Sequence, residues 1–585
     1  MRSFFKIFFA CLLALVIFSL VAFFVGAGII GRALQPDKPE VGSKAVLVID
    51  LGSPIMEQTK ESPIAELAGK EDANALGLYD LVRMISYAKK DSAIKGIVLK
   101  AGYNVNGFAT NEELREAIVD FKKSKKFVIA YGEYMTQKSY YVSTAADKIY
   151  CHPQGHIEWD GFTSNLFFIK GLLDKLEIQP EIFYAGKFKS ATEPLRATEM
   201  TEPNRLQTTV WLNDLYSHLL LTTSEARNID TATLHALANN GTIQSPADAL
   251  NNKLIDGLRY DDEWKAEVAK NLGEKADAKI NFISASKYNK AADYKKDGKN
   301  KIALIYAQGE IVSGKGESGQ IASDEFKNLI RKARTDDGIK AIVFRVNSPG
   351  GSALASDIIW REISMARKVK PVVVSMGDLA ASGGYYISCN ADSVFADYTT
   401  ITGSIGVFTI VANMQSFFKN KLGITFDRVK TAPYADMGSS DRPLSDAEKK
   451  FMQASVDSIY YTFKSRVADG RKKDIVFVDS IAQGRVWTGT RATGIGLVDR
   501  IGTLQQAVDC AARMAKVTDY RTREYPEQKN LWEQLFGSSS SSDVKEKVVK
   551  EEIGETQYNL LKKLKKVQTL FDIPQTRMPF DAEIH

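Results

Sequence analysis

The segment Ile94-Lys95-Gly96-Ile97-Val98-Leu99-Lys100 returns 245 positions later as Ile339-Lys340-Ala341-Ile342-Val343-Phe344-Arg345. The same offset pairs Tyr140-Tyr141 with Tyr385-Tyr386, Ser143 with Ser388 and Ala146-Asp147 with Ala391-Asp392. Upstream, Lys44-Ala45-Val46-Leu47-Val48-Ile49 is echoed by Lys301-Ile302-Ala303-Leu304-Ile305-Tyr306, and downstream Leu254-Ile255-Asp256 by Leu497-Val498-Asp499. A register held over so long a stretch means two copies of one unit. The expected organisation is a repeat over 44–285, a charged linker over 286–299 and a second repeat over 300–517. Short, β-branched runs such as Ile97-Val98-Leu99 and Val372-Val373-Val374 read as buried strands. Between them Glu112 to Lys122 and Ala355 to Arg367 place apolar residues at helical steps. Alternation of this kind predicts an α/β fold with largely parallel sheets.

The chain has 585 residues, 44% hydrophobic and 25% charged, an ordinary globular composition. The net charge of +6 is small for this length and gives no argument for a nucleic-acid partner. Cys11, Cys151, Cys389 and Cys510 form no C-x-x-C pair, and His152 and His156 flank turn sequence rather than sharing a helix. Neither pattern suits a metal or a disulfide framework, and no motif implies a cofactor.

Residues 1–43 read as a membrane anchor and linker. Ile7 to Ile30 carries no charge over 24 residues, roughly 36 Å of helix against a hydrocarbon core of about 30 Å. That is longer than the apolar region of about 7 to 15 residues in a cleaved secretory signal. The expectation is a single span through residues 7–30 with everything beyond about Ser43 translocated. At the other end, residues 518–585 contain the serine run Ser538 to Ser542 and a Lys/Glu-rich stretch, Val544 to Phe571, with one apolar helical face. Packing or assembly is the expected role of that helix.

The chemistry is divided between the copies. In the second, a strand over 341–345 runs into Asn347-Ser348-Pro349-Gly350-Gly351, where adjacent glycines can turn amides inward as an oxyanion site needs. An ordinary strand-to-helix turn fits the same residues. Further on, Ala380-Ala381-Ser382-Gly383-Gly384 can present a serine hydroxyl at a crowded helix start, or be a packed start without chemistry. No histidine follows Ser382 until His585, so a base would have to be a lysine desolvated enough to be neutral. The first copy supplies candidates in Gly186-Lys187-Phe188-Lys189-Ser190-Ala191-Thr192-Glu193-Pro194. In alignment Lys189 faces Ala435 of the second copy, while Ser382 faces Gln137 and the glycine pair faces Val105-Asn106 of the first. Each half lacks what the other keeps.

These motifs, together with Thr402-Gly403-Ser404-Ile405-Gly406, Gly484-Arg485-Val486-Trp487-Thr488-Gly489 and Gly494-Ile495-Gly496-Leu497-Val498-Asp499, carry a resemblance. Over about residues 1–517 the chain resembles the signal peptide peptidase A family in its long, tandem-repeat form. The resemblance implies two Clp-protease/crotonase-like repeats and a Ser–Lys dyad. Ser382 matches the nucleophile and Lys189 the general base, with Lys187 as rival. Ser404 matches a serine that hydrogen-bonds the lysine amine, and Gly383 with Gly350 or Gly351 matches the oxyanion donors. It further implies a homo-oligomer (a tetramer), catalytic domains on the extracytoplasmic side of the inner membrane, and signal peptides and other apolar peptides as substrates. Two other readings compete: a crotonase-type acyl-CoA enzyme and a catalytically inactive membrane scaffold.

Overall fold

The computed structural model describes residues 4, 7, 8, 10, 12–19, 39–60, 75–295, 297–527 and 574–578. Strands β1 (Ala45–Asp50), β2 (Ile94–Lys100), β3 (Phe127–Met135) and β4 (Lys148–Ile157) precede β5 (Gln179–Ala185), which leaves the first repeat's sheet; β6 (Gly257–Leu258) and β7 (Phe282–Ser284) return to it. The first sheet runs β6-β4-β3-β2-β1-β7, with every neighbour parallel. Its central strands are apolar without interruption because helices cover both faces. Leu47, Ile97, Leu99 and Ala130 pack one way, and Val46, Val98 and Ile129 pack the other.

The second repeat rebuilds this order. It contains β8 (Asn300–Gln308), β9 (Ile311–Val312), β10 (Ile321–Ala322), β11 (Ile339–Ser348), β12 (Gly350–Ser352), β13 (Val372–Ala381), β14 (Ser393–Ala396), β15 (Ile401–Gly403), β16 (Val407–Asn413), β17 (Val486–Thr488), β18 (Arg500–Ile501) and β19 (Tyr520–Tyr525). The parallel run β19-β8-β11-β13-β14-β18 repeats β7-β1-β2-β3-β4-β6 strand for strand. Residues paired in the sequence do the same work in each copy. Tyr140 Oη donates to the Leu254 carbonyl at 2.7 Å, and Tyr385 Oη to Leu497 at 2.8 Å. Asp256 accepts from the Ile149 amide and Asp499 from the Val394 amide, both at 2.8 Å. Asp147 and Asp392 likewise accept from the first residues of their neighbouring strands, Val128 at 2.8 Å and Val372 at 2.9 Å.

Two boundaries fall elsewhere than the sequence suggests. The second repeat extends past residue 517, because β19 pairs with β8 over six positions. Part of the expected linker, Ala285–Ala291, is a helix on the first repeat, capped by Ser284 and burying Tyr288. Among the described residues no helix is long and apolar enough to cross a membrane. Most of the expected span at 7–30 lies outside the described residues, although 12–19 are helical. The serine run and the amphipathic stretch 544–571 lie wholly outside them.

A third sheet joins the repeats. Its order is β10-β9-β12-β20-β16-β5, where β20 is Gln575–Arg577. Strand β5 of the first repeat pairs antiparallel with β16 of the second from Ala185↔Val407 to Gln179↔Asn413. Nearby, Arg345 on β11 reaches across the boundary, wholly buried. Its Nε donates to Glu57 at 2.7 Å and its Nη1 to Glu113 at 2.8 Å, both acids of the first repeat. Glu113 also accepts from the Leu504 amide at 3.0 Å, and Glu57 from Asn347 Nδ2 at 2.7 Å. The repeat counterpart of Arg345, Lys100, is exposed.

Removing this arginine would strand two buried carboxylates. Arg345→Ala is expected to cost about 3–5 kcal/mol, read as a lower midpoint in denaturant or thermal unfolding. An unchanged midpoint would mean that the repeats are not held by this contact.

Candidate active site

Strand β13 ends at Ala381, and a short helix begins at Gly383. Between them Ser382 has φ 56° and ψ −113°, a backbone region ordinarily left to glycine. Such a conformation costs on the order of 1–3 kcal/mol and persists only where its surroundings enforce it. They do so here: the Ser382 amide donates to the Gly403 carbonyl and its carbonyl accepts from the Tyr386 amide, both at 2.8 Å. The hydroxyl is thereby thrust out of the sheet into a fully buried position.

Lys189 reaches that hydroxyl from the other repeat. Strand β5, clamped to β16, delivers the chain to Gly186, and the following loop folds back on itself. Lys189 N donates to the Gly186 carbonyl at 3.0 Å, and Phe188 N to the Gln483 carbonyl at 2.8 Å. Gln207 Nε2 holds the loop from a long helix, donating to the Phe188 carbonyl at 3.1 Å and Ser190 Oγ at 3.0 Å. The ammonium position is 1% exposed and lies 2.8 Å from Ser382 Oγ. Nζ also lies 3.1 Å from both the carbonyl and the hydroxyl of Ser404. No carboxylate compensates; burial alone pushes the Lys189 amine well below the ordinary lysine range. A neutral amine accepts one proton and donates two, which matches one hydroxyl to deprotonate and two Ser404 acceptors. Among the described residues, Ser382 Oγ has no histidine partner.

The glycine turn lies against the same place. A methyl on Gly350 would meet the Gly383 nitrogen at 2.7 Å and the Thr576 carbonyl oxygen at 2.0 Å. The Gly350 amide donates to Ser348 Oγ at 3.1 Å, and that hydroxyl donates to the Gly309 carbonyl at 2.6 Å. Gly351, next along β12, is not engaged by Ser348 and keeps its amide on the strand edge.

The structure therefore gathers Ser382, Lys189, Ser404, Gly383, Gly350 and Gly351 in one place. Lys187 is exposed, with its ammonium over the Phe188 ring at 5.2 Å from the centroid. In the first repeat Gln137, opposite Ser382 in the alignment, donates through Nε2 to the Gly161 carbonyl at 2.8 Å, so its side chain holds a loop. Sequence reasoning missed Gln207 and Gly484. The former sits in a polar helix with nothing to mark it. The latter opens the Gly484-Arg485-Val486-Trp487 motif and has a physical duty: at φ +75°, a Cβ there would lie 2.6–2.7 Å from the backbone and Cβ of Lys189.

An alcohol, a neutral amine and inward-turned glycine amides on an α/β frame define a serine hydrolase working without histidine. Peptidase family S49 matches residues 120–277 and 364–518, one stretch in each repeat. The chain belongs to this family and is a serine protease. It is 34% identical over 536 residues to Protease 4 of Salmonella typhi, covering 88% of this chain and 86% of that one. Protease 4 of Haemophilus influenzae is 34% identical over 495 residues, covering 81% and 79%. The chloroplastic serine protease SPPA of Arabidopsis thaliana is 32% identical over 473 residues, covering 79% and 69%.

Two outcomes follow from the geometry. Gly484→Ala has no room for its methyl beside Lys189, so peptidase activity falls while the protein still folds, as checked by circular dichroism and a peptide assay. The lysine also sets a stability slope. Its pKa is lower folded than unfolded, so the unfolded chain binds the extra proton, and stability rises with pH from the depressed folded value up to about 10.5. Lys189→Met removes the penalty of burying an ionisable group. It is expected to unfold at higher temperature than wild type at pH 7, with the gap narrowing toward pH 10, as differential scanning calorimetry reads directly.

Proposed function

We propose that this chain is a membrane-anchored serine endopeptidase with a Ser382–Lys189 dyad that degrades cleaved signal peptides and other apolar peptides. The observation that carries the reading is the 2.8 Å approach of a buried, carboxylate-free amine to a strained serine hydroxyl. Lys189 accepts the Ser382 proton as Oγ attacks a peptide carbonyl. Gly383 and Gly351 amides hold the oxyanion, since Gly350 is committed to Ser348. The protonated amine is held by the Ser404 carbonyl and hydroxyl until it passes the proton to the leaving nitrogen. Water then hydrolyses the acyl-enzyme with the same lysine as base.

Apolar substrates are favoured by what lines the cleft between the repeats: Phe108, Trp211, Leu215, Ala381 and Val486 form one buried cluster beside the serine. The uncharged run Ile7 to Ile30 supports a single span through residues 7–30, with the catalytic repeats on the extracytoplasmic side. Assembly as a homo-oligomer, a tetramer by family resemblance, would gather several such clefts. An acyl-CoA enzyme has no need of a neutral lysine on its serine, and an inactive scaffold no need of a strained one.

Peptidase assays of wild type, Ser382→Ala and Lys189→Ala test this. Lys189→Ala is expected to lower kcat/KM by about 10²–10⁴-fold, and Ser382→Ala to abolish both turnover and labelling by a fluorophosphonate. Wild-type activity should rise with pH and level off below the usual lysine range. Equal activity in all three proteins, or a flat pH profile, would remove the dyad.

A further inference from the structure

Residues 574–578 are far from the catalytic repeats in sequence, yet they lie inside the cleft. Strand β20 fills the gap between β12 and β16, antiparallel to both. Its register sets Gly350 opposite Arg577, Gly351 opposite Thr576 and Ser352 opposite Gln575. At the two ends the Met578 amide donates to the Pro349 carbonyl at 2.7 Å and the Ala353 amide to the Pro574 carbonyl at 3.2 Å. Hydrogen-bonded pairs alternate along an antiparallel ladder, so Gly351 and Thr576 form the bonded pair between these ends. The Thr576 carbonyl therefore points at the Gly351 amide. Its oxygen also lies 3.0 Å from the Cβ position of Gly383, whose amide follows the nucleophile.

The side chains are received as well. Thr576 is fully buried, and its hydroxyl donates to the Gly351 carbonyl at 3.1 Å. Met578 is 6% exposed and completes the apolar cluster of Phe108, Trp211, Leu215, Ala381 and Val486. Arg577 pairs with Glu310 at 2.8 Å. A strand built only for stability would satisfy its own polar atoms, but Gln575 Oε1 is buried without a hydrogen-bond partner. The segment lies as an extended peptide would, by strand addition to an open edge.

We propose that this C-terminal strand is an internal substrate: it blocks the cleft of the full chain and is cut by Ser382 between Thr576 and Arg577. This rests on the dyad reading above. Ser382 Oγ bonds to the Thr576 carbonyl carbon while its proton passes to Lys189. The C–N bond to Arg577 breaks as that proton moves to the Arg577 nitrogen, freeing residues 577–585 with a new amino terminus. Water hydrolyses the ester, restoring Ser382 and leaving a chain that ends in the Thr576 carboxylate. Loss of Met578 and Arg577 removes the anchors on the leaving side, so the cleft opens to other peptides.

Intact-mass and C-terminal peptide mass spectrometry of the purified full chain, wild type against Ser382→Ala, test this. Wild type is expected to end at Thr576 and Ser382→Ala at His585. Hydrogen exchange on Ser382→Ala should show the Thr576 and Met578 amides protected, as their ladder positions require. A wild-type enzyme that hydrolyses an added peptide yet keeps residues 577–585, or loses them equally in Ser382→Ala, overturns the proposal while leaving the dyad standing. So does exchange at 576 and 578 as fast as in a free peptide. No fluorophosphonate adduct and no hydrolysis of an added peptide would instead take down the dyad, and this inference with it.

Discussion

A lysine amine stripped of water, with no carboxylate to balance it, is the constraint on which the rest of the structure depends. An ammonium in that position would be unpaired in a low-dielectric pocket, so the fold favours the neutral amine and thereby makes a base. The surroundings must supply hydrogen-bond partners suited to a neutral nitrogen and exclude those that would restore the charge. Ser382 and Ser404 do the first, and burial to 1% exposure does the second. The strain at Ser382 belongs to the same arrangement. Only a backbone bent through φ 56° carries the hydroxyl from the end of β13 to the amine.

Holding two such unfavourable elements together requires a rigid boundary between the repeats. The seven-residue ladder of β5 with β16 fixes where Lys189 arrives, and Arg345 fixes the repeats through Glu57 and Glu113. A duplicated unit could have kept two complete sites. Instead each copy contributes part of one, and the surface where they meet becomes the cleft. That geometry makes the cleft an open sheet edge between β12 and β16, suited to an extended chain in any sequence context the side pockets accept. Its occupation by residues 574–578 is the clearest sign of what the edge is for.

The duplication was legible because parallel sheets buried on both faces demand continuous apolar runs, and such runs align when a gene is written twice. Tyr140 with Tyr385, Asp147 with Asp392 and Asp256 with Asp499 were visible as repeated letters, and each pair makes the same hydrogen bond. Ser382 and the glycine turn were legible for a related reason: small residues clustered after a strand leave few conformational options. Lys189 could be named as a base only by its complementary absence from the second copy and by family likeness, since nothing local to it marks a buried amine. Gln207 carried no signal at all. Its role depends on a loop folded against a helix that lies elsewhere in the chain.

Sequence alone determined the repeat, the α/β layering and the types of residue available for acyl transfer, because local patterning and composition decide these. Tertiary structure decided that Lys189 rather than Lys187 meets Ser382, that Gly350 is tied to Ser348, and that β20 lies in the cleft. Those outcomes turn on distances of a few ångströms between segments separated by hundreds of residues. Pairing register and desolvation, the two effects responsible, exist only once the chain has closed on itself.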